Sequence, residues 1–399
     1  MLIEIYGAGF ANKGAQLMLE TVVERCRQVS PDVQFAIESG PDRPPTKVHR
    51  LGVQLLFPSG AFCGPRKNLK YYVSNILSRL TAWKKVRAYG VVSRCDVDAL
   101  INISGYAFGD FWGSGSAARF LPLAKFYRQR GKPVIMLPQM LGPFENQELR
   151  ELFREMATTV TMIHARERAS LKCATDASPD ANILLAPDIT ISTIDHGPKP
   201  EMNPNRVCII PNVRVTDNGS QPMEEAVYLE LLKRSAEQVL DAGKEVVVVV
   251  HEYFGQDAIL AEKLQALLKE EGHEVQLVAE SDPKKLKSFL GASRFVIGSR
   301  FHSIVAALSY GVPCVVIGWA HKYRELLADF GQEKFDISDS RSHDAMEPLV
   351  KELLDAQGHE SNRRKIETAA EEMKVKNEAM WASVFETLGL VEETPTAAL

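Results

Sequence analysis

The 399-residue chain carries a formal net charge of −4 and is 45% hydrophobic and 25% charged. This length is too great for one ordinary core, so two domains are expected, and the composition is that of a soluble globular protein. The acidic balance supplies no global pull towards nucleic acid, and no apolar run approaches the ~20 residues of a membrane span.

The first residues carry no basic n-region, and Glu4 interrupts the opening apolar run, so no signal peptide is expected. Six cysteines (Cys26, Cys63, Cys95, Cys173, Cys208 and Cys314) are scattered without a CxxC pair. Reduced thiols in a cytoplasmic enzyme fit this pattern, and neither a zinc site nor a disulfide framework is expected.

Residues 2–6 predict a strand that enters a glycine-rich turn, GAGFANKG, and then an amphipathic helix bearing Leu17, Leu19, Val22 and Val23. Asn12 stands where a GxGxxG dinucleotide fingerprint needs its third glycine, so that motif is absent. Gly7, Gly9 and Gly14 nevertheless fall at the C-terminal end of a strand.

Charge is segregated next. Between Arg43 and Cys95 there are eleven Lys or Arg and no Asp or Glu, with Tyr71, Tyr72, Trp83 and Tyr89 interleaved among the cations. Nucleic acid, an anionic membrane surface, a phosphate-bearing acceptor and a plain solvated helix face all suit such a run. No nucleic-acid motif accompanies it, which favours a membrane surface or lipid-linked acceptor over nucleic acid.

Residues 98–103 predict a strand running into a loop of glycines and aromatics, SGYAFGDFWGSGS. A helix over 120–130, a strand over 134–137 ending at Pro138-Gln139, a helix over 148–158 and a strand over 160–164 follow, the last running into Arg166. Residues 195–206, DHGPKPEMNPNR, hold three prolines and a glycine without apolar periodicity, the composition of a linker. The expected domains are therefore 1–196 and 203–390. The second restarts with a strand over 207–211, a helix over 223–242, a strand over 245–250 ending at His251-Glu252, a helix over 257–271 and a strand over 275–278. A final helix over 362–388 closes it, and alternating β and α elements imply a parallel sheet in each domain.

The most informative stretch is RFVIGSRFHSIVAALSYGVPCVVIG, residues 294–318. It reads as strand, tight turn and helix, with Ser299 as expected N-cap, Arg300 to His302 in the first turn, Gly311 past the helix end and Pro313 before a second strand. Helix N-termini favour anions through free N–H groups and the helix dipole, and a guanidinium adds bidentate recognition of phosphate or carboxylate. A cation in a first turn opposes the dipole and asks for a compensating anion. An anionic substrate is the expected guest.

This stretch, extended to residues 281–319, resembles the C-terminal signature of the polysaccharide pyruvyltransferase family, whose S-R-x-H turn ends a strand. Weaker matches span most of the chain: Gly9, Phe10, Asn12 and Gly14 in a G-x-G-N-x-G-type opening, Gln139, Gly142 and Pro143 in Q-x-x-G-P, Arg166 in an R-D/E-x-x-S segment, Asp188, and His251 followed by Asp257. Ala15 replaces a commonly acidic residue, and only Gly105 remains of a usual triple glycine. The resemblance implies two Rossmann-like parallel-sheet domains facing a cleft, a GT-B-like arrangement. It implies transfer of pyruvate from phosphoenolpyruvate onto a sugar of a polysaccharide or lipid-linked oligosaccharide as a cyclic ketal, with no cofactor and no metal. Arg300 is the expected anion clamp and His302 the expected acid, with Arg166, Asn12, Gln139, Asp188 and His251 binding substrate; His251, Glu252 or Asp188 would accept the sugar proton. A cytoplasmic enzyme, peripheral at the inner membrane face, follows. A nucleotide-sugar glycosyltransferase and a non-catalytic polysaccharide-assembly scaffold are the alternatives.

Overall fold

A computed structural model describes residues 1–56, 90–193, 200–217, 222–252, 255–319 and 322–390. It divides into two compact units: Met1–Phe10, Met18–Ile189 and Glu378–Leu399 form the first, Ala11–Leu17 and Thr190–Asn377 the second. The sequence-based division follows chain order, whereas the unit boundary falls at Ile189, and the first helix begins in one unit and continues in the other. Of the expected linker, residues 195–199 lie outside the described residues.

The first unit holds a nine-stranded sheet. Its strands are β1 (Leu2–Tyr6), β2 (Gln34–Glu38), β3 (Val53–Leu56), β4 (Val91–Val92), β5 (Ala99–Asn102), β6 (Tyr106–Phe108), β7 (Val134–Leu141), β8 (Met162–Ala165) and β9 (Ile183–Leu185). They run in the order β4-β3-β2-β1-β5-β7-β8-β9, with β6 on β7, and every pairing is parallel. Strands covered on both faces read as near-continuous apolar runs, as residues 134–137 of β7 do, and all eight residues of that strand are buried. The helix Gly115–Arg128 supplies Phe120, Leu123 and Tyr127 to the core over this sheet.

The second unit repeats the plan with β10 (Arg206–Ile210), β11 (Glu245–Val249), β12 (Gln276–Val278), β13 (Phe295–Gly298) and β14 (Cys314–Val316), in the order β12-β11-β10-β13-β14, all parallel. In both sheets the strand order reverses beside the first strand, between β1 and β5 and between β10 and β13. Open α/β sheets bind ligands beyond the carboxyl ends of their strands at such a reversal.

Strands β2, β3 and β4 and the helices Lys322–Asp329 and His343–Leu354 extend the element order read from the sequence, and the last helix begins earlier, at Ala356. Among the described residues no helix is long and apolar enough to cross a membrane. Of the basic aromatic run, residues 57–89 lie outside the described residues.

Candidate active site

Strand β13 ends where its Gly298 lies in register with Ile210 of β10; a β-carbon there would stand 3.0 Å from Cβ of Ile210. The chain then turns through Ser299 and Arg300 into the helix Phe301–Leu308. Ser299 is not the N-cap. Arg300 occupies that position in an extended conformation, and no side chain caps the helix. The carbonyl of Ser299 instead accepts hydrogen bonds from Asn212 Nδ2 and from the hydroxyl of Tyr323, both at 2.5 Å, while its hydroxyl lies 3.2 Å from that of Tyr228. Asn212, two residues beyond the end of β10, and two buried tyrosines thus hold the turn.

Arg300 does not present an open guanidinium fork. Its Nε and Nη2 donate to the two oxygens of Asp257 at 2.7 and 2.6 Å, and Nη2 also lies 2.7 Å from Glu252. Asp257 is fully buried, begins the helix Asp257–Glu270, and also accepts from the backbone N–H of Val213. Burial alone would lower the affinity of Arg300 for its proton; Asp257 and then Glu252 outweigh that and hold its pKa above the ordinary value. Two carboxylates of the protein itself therefore already face this cation.

His251 is buried, and its Nδ1 makes no hydrogen bond among the described residues. Its pKa lies well below the ordinary value through burial first, then through Arg300, His302 and Lys13, so the imidazole is neutral near pH 7. Asn12 pairs with Glu252 in an isolated antiparallel bridge. Its side-chain oxygen accepts from the N–H groups of Gly14 and Ala15 at 2.8 and 3.3 Å, which caps the helix Lys13–Val29 and spends that oxygen on structure. Lys13 is buried and donates from Nζ to the carbonyl of Ser281. His302, half-buried, lies against Gly14.

The remaining predicted residues belong to the first unit. Gln139 is buried in β7, donates to the carbonyl of Leu137, and keeps Oε1 without a partner among the described residues. Arg166 bonds Asp188 from Nη1 at 3.1 Å and Glu167 from Nε at 3.2 Å, and its N–H donates to the carbonyl of Gln139. The three predicted residues therefore share one network in the first unit, with Arg166 and Asp188 paired, while Asn12, His251, Arg300 and His302 share the second.

A family model described as polysaccharide pyruvyl transferase matches residues 12–321. The chain belongs to that family. A curated relative, the amylovoran biosynthesis protein AmsJ of Erwinia amylovora, is 21% identical over 318 residues, covering 73% of each chain. Among solved structures, the S. aureus MnaA-UDP co-structure matches with a TM-score of 0.57 at 12% identity over 100% of this chain and 99% of that one. The spinosyn rhamnosyltransferase SpnG matches at 0.54 and 16% identity, over 98% and 99%. The UDP-GlcNAc 2-epimerase of Neisseria meningitidis bound to UDP-GlcNAc matches at 0.55 and 10% identity, over 95% and 99%. At such identities these likenesses concern the fold of glycosyltransferases and epimerases.

Within this family member, sequence reasoning missed Asn212, Tyr228 and Tyr323, which hold the signature turn from other elements, and gave Asp257 no role of its own. The signal for Asp257 was available, because an acid that follows a strand-end His and opens an apolar helix is placed to meet a cation. It also missed a buried cluster in the first unit. Arg94 donates to Glu4 from Nε and Nη2 and to Glu38 from Nη2 at 3.1 Å, and the hydroxyl of Tyr127 donates to Glu4. Burial would lower the pKa of Arg94, but Glu4 holds it raised.

Proposed function

We propose that the protein transfers pyruvate from phosphoenolpyruvate onto two hydroxyls of one sugar of a polysaccharide or lipid-linked oligosaccharide, forming a cyclic ketal and releasing phosphate. The observation that carries this reading is the grouping of His302, His251 and Lys13 around an Arg300 tied to Asp257 and Glu252, in a chain of the pyruvyl transferase family. Phosphoenolpyruvate is small and multiply anionic, and Arg300 is suited to its carboxylate or phosphate. Of its two carboxylate partners, Asp257 has a side-chain exposure of 0% and Glu252 of 22%. Glu252 is therefore the partner that an incoming anion displaces, which opens the Nη2 edge while Asp257 keeps the guanidinium oriented.

The chemistry then has a defined order. His302 as an imidazolium gives a proton to the methylene carbon, which makes C2 electrophilic, and a sugar hydroxyl oxygen bonds to C2. The C2–O bond to phosphate breaks, phosphate leaves with the electron pair, and the second hydroxyl closes the ketal. One hydroxyl proton, taken by the displaced Glu252, restores the proton lost from His302; the other leaves with phosphate. Asp188 is already paired with Arg166 and is the poorer base.

Of the eleven cations between Arg43 and Cys95, Arg94 is buried on Glu4 and Glu38 and Arg43 faces Asp42; the other nine support an acceptor presented at an anionic lipid surface, where a cation adds ~1 kcal/mol of attraction. Purified protein incubated with phosphoenolpyruvate and a panel of model and lipid-linked glycosides is expected to release phosphate only when an acceptor is present, with a carboxyethylidene group gained by the sugar. Transfer from a nucleotide sugar without phosphoenolpyruvate would establish a glycosyltransferase instead, and inertness towards both donors a scaffold.

A further inference from the structure

The first unit contains a cavity of about 540 Å³ beyond the ends of β1, β2 and β5, where Tyr6, Gly7, Glu38 and Ser104 meet Asp42, Arg43, Arg94 and Arg119. Its size falls within the ~300–1,000 Å³ of small-ligand sites, and it stands at the β1/β5 reversal of strand order. The glycine-rich turn after β1 is what permits this wall. A β-carbon on Gly7 would lie 2.3 Å from Oγ of Ser104, and one on Gly9 would lie 2.0 Å from Oδ2 of Asp42.

The charges in this wall are matched. Arg94 is buried and bonded to Glu4 behind it and to Glu38 beside it, and Arg43 Nε lies 3.1 Å from Asp42. Arg119 donates to the hydroxyl of Ser116. Three guanidinium groups thus stand against the three carboxylates of Glu4, Glu38 and Asp42. A multiply charged donor finds no net attraction in such a cavity. A ring of sugar hydroxyls, each both donor and acceptor, can use carboxylate oxygens, guanidinium N–H groups and the hydroxyl of Ser104 together, with Tyr6 and Phe108 as apolar wall.

We propose that this cavity is the acceptor subsite and takes an uncharged hexopyranose unit through Asp42, Ser104 and Arg119. The proposal rests on the pyruvyl-transfer reading for the name "acceptor", while the binding of neutral sugar stands on the cavity alone. The test is saturation-transfer NMR and calorimetry with neutral methyl hexopyranosides and the matching methyl uronosides, on the parent protein, Asp42→Asn and Arg119→Gln, with thermal unfolding run in parallel. Arg119 is exposed, so Arg119→Gln should keep the fold even if Asp42→Asn does not. Neutral glycosides should bind the parent and lose at least ~10-fold in affinity in either variant, with phosphoenolpyruvate binding unchanged. Equal affinity in the parent and Arg119→Gln, or a preference for the uronosides, would overturn the proposal. Neutral-sugar binding that depends on these residues without any phosphoenolpyruvate-dependent phosphate release would uphold the sugar site and refute the reaction; acceptor-dependent release that both variants leave intact would do the reverse.

Discussion

A β-carbon placed on Gly14 would stand 2.0 Å from Nδ1 of His302 and 2.4 Å from its Cγ. The imidazole of the signature turn is therefore seated against the backbone of the first helical turn, in space that only glycine leaves open. Gly14→Ala would ordinarily favour a helix by up to ~1 kcal/mol. Here it should displace the imidazole, and acceptor-dependent phosphate release should fall by ~10²- to 10⁴-fold, as for His302→Asn, the usual worth of a general acid. Steady-state rates of both variants, beside calorimetric binding of phosphoenolpyruvate, make the check. Full activity in Gly14→Ala would remove His302 from the role of acid.

Glu252→Gln removes the more exposed anion from Arg300 but keeps its shape. Phosphoenolpyruvate should bind more tightly, by ~10-fold or about 1.4 kcal/mol, because no resident charge has to be displaced. Turnover should fall, because the amide cannot take the hydroxyl proton. Weaker donor binding in this variant would show that Glu252 assists the anion instead of competing with it.

Asp257→Ala should behave differently. It leaves the buried Arg300 without its bidentate partner, and breaking a buried pair from one side costs ~3–5 kcal/mol. Urea unfolding of the isolated variant would register that loss as a lower midpoint with an unchanged slope. Asp257→Asn, which keeps one acceptor oxygen for Val213, should lose less.

Acid should destabilise the protein through its buried histidines. His164 is 1% exposed, and burial lowers its pKa from 6.5 to about 4 despite a contact of Nδ1 with the carbonyl of Met136; His251 is shifted in the same direction. In the unfolded chain these imidazoles take up protons near pH 6.5, and in the folded chain they do not. Stability contributed by the neutral state is therefore complete above pH 6.5 and declines as pH falls towards 4, by up to ~3 kcal/mol for His164. Thermal melts across that window should show a shallower slope for His164→Gln than for the parent.

Much of the architecture was legible because parallel strands buried on both faces leave short apolar runs. Residues 207–211 and 245–250 anticipate Arg206–Ile210 and Glu245–Val249 to within a residue. Strands β2 and β3 escaped because four or five residues with polar members, QFAIE and VQLL, show neither clean alternation nor a continuous run. The signature turn was read one residue out, since Ser299 has cap chemistry but its hydroxyl is engaged with Tyr228. Asp257 carried a signal as an acid opening an apolar helix, but that Arg300 is its cation and that Glu252 joins it could not be read, because they come from different elements and only the tertiary fold aligns them. Glu4 did carry a signal, as an acid inside an apolar strand needs a partner, but nothing local names Arg94 and Tyr127.

The helix Lys13–Val29 also bears on how the molecule is made. Its opening residues, within the segment Ala11–Leu17, belong with Thr190–Asn377, yet they are synthesised well before that segment. Gly14 cannot meet His302 until synthesis has passed residue 302, so this turn must wait for the rest of the second unit. A polypeptide released early therefore carries the glycine turn, the whole first sheet and the seat at Gly14 but no imidazole to fill it, and closing that long loop belongs among the last, slowest events of maturation.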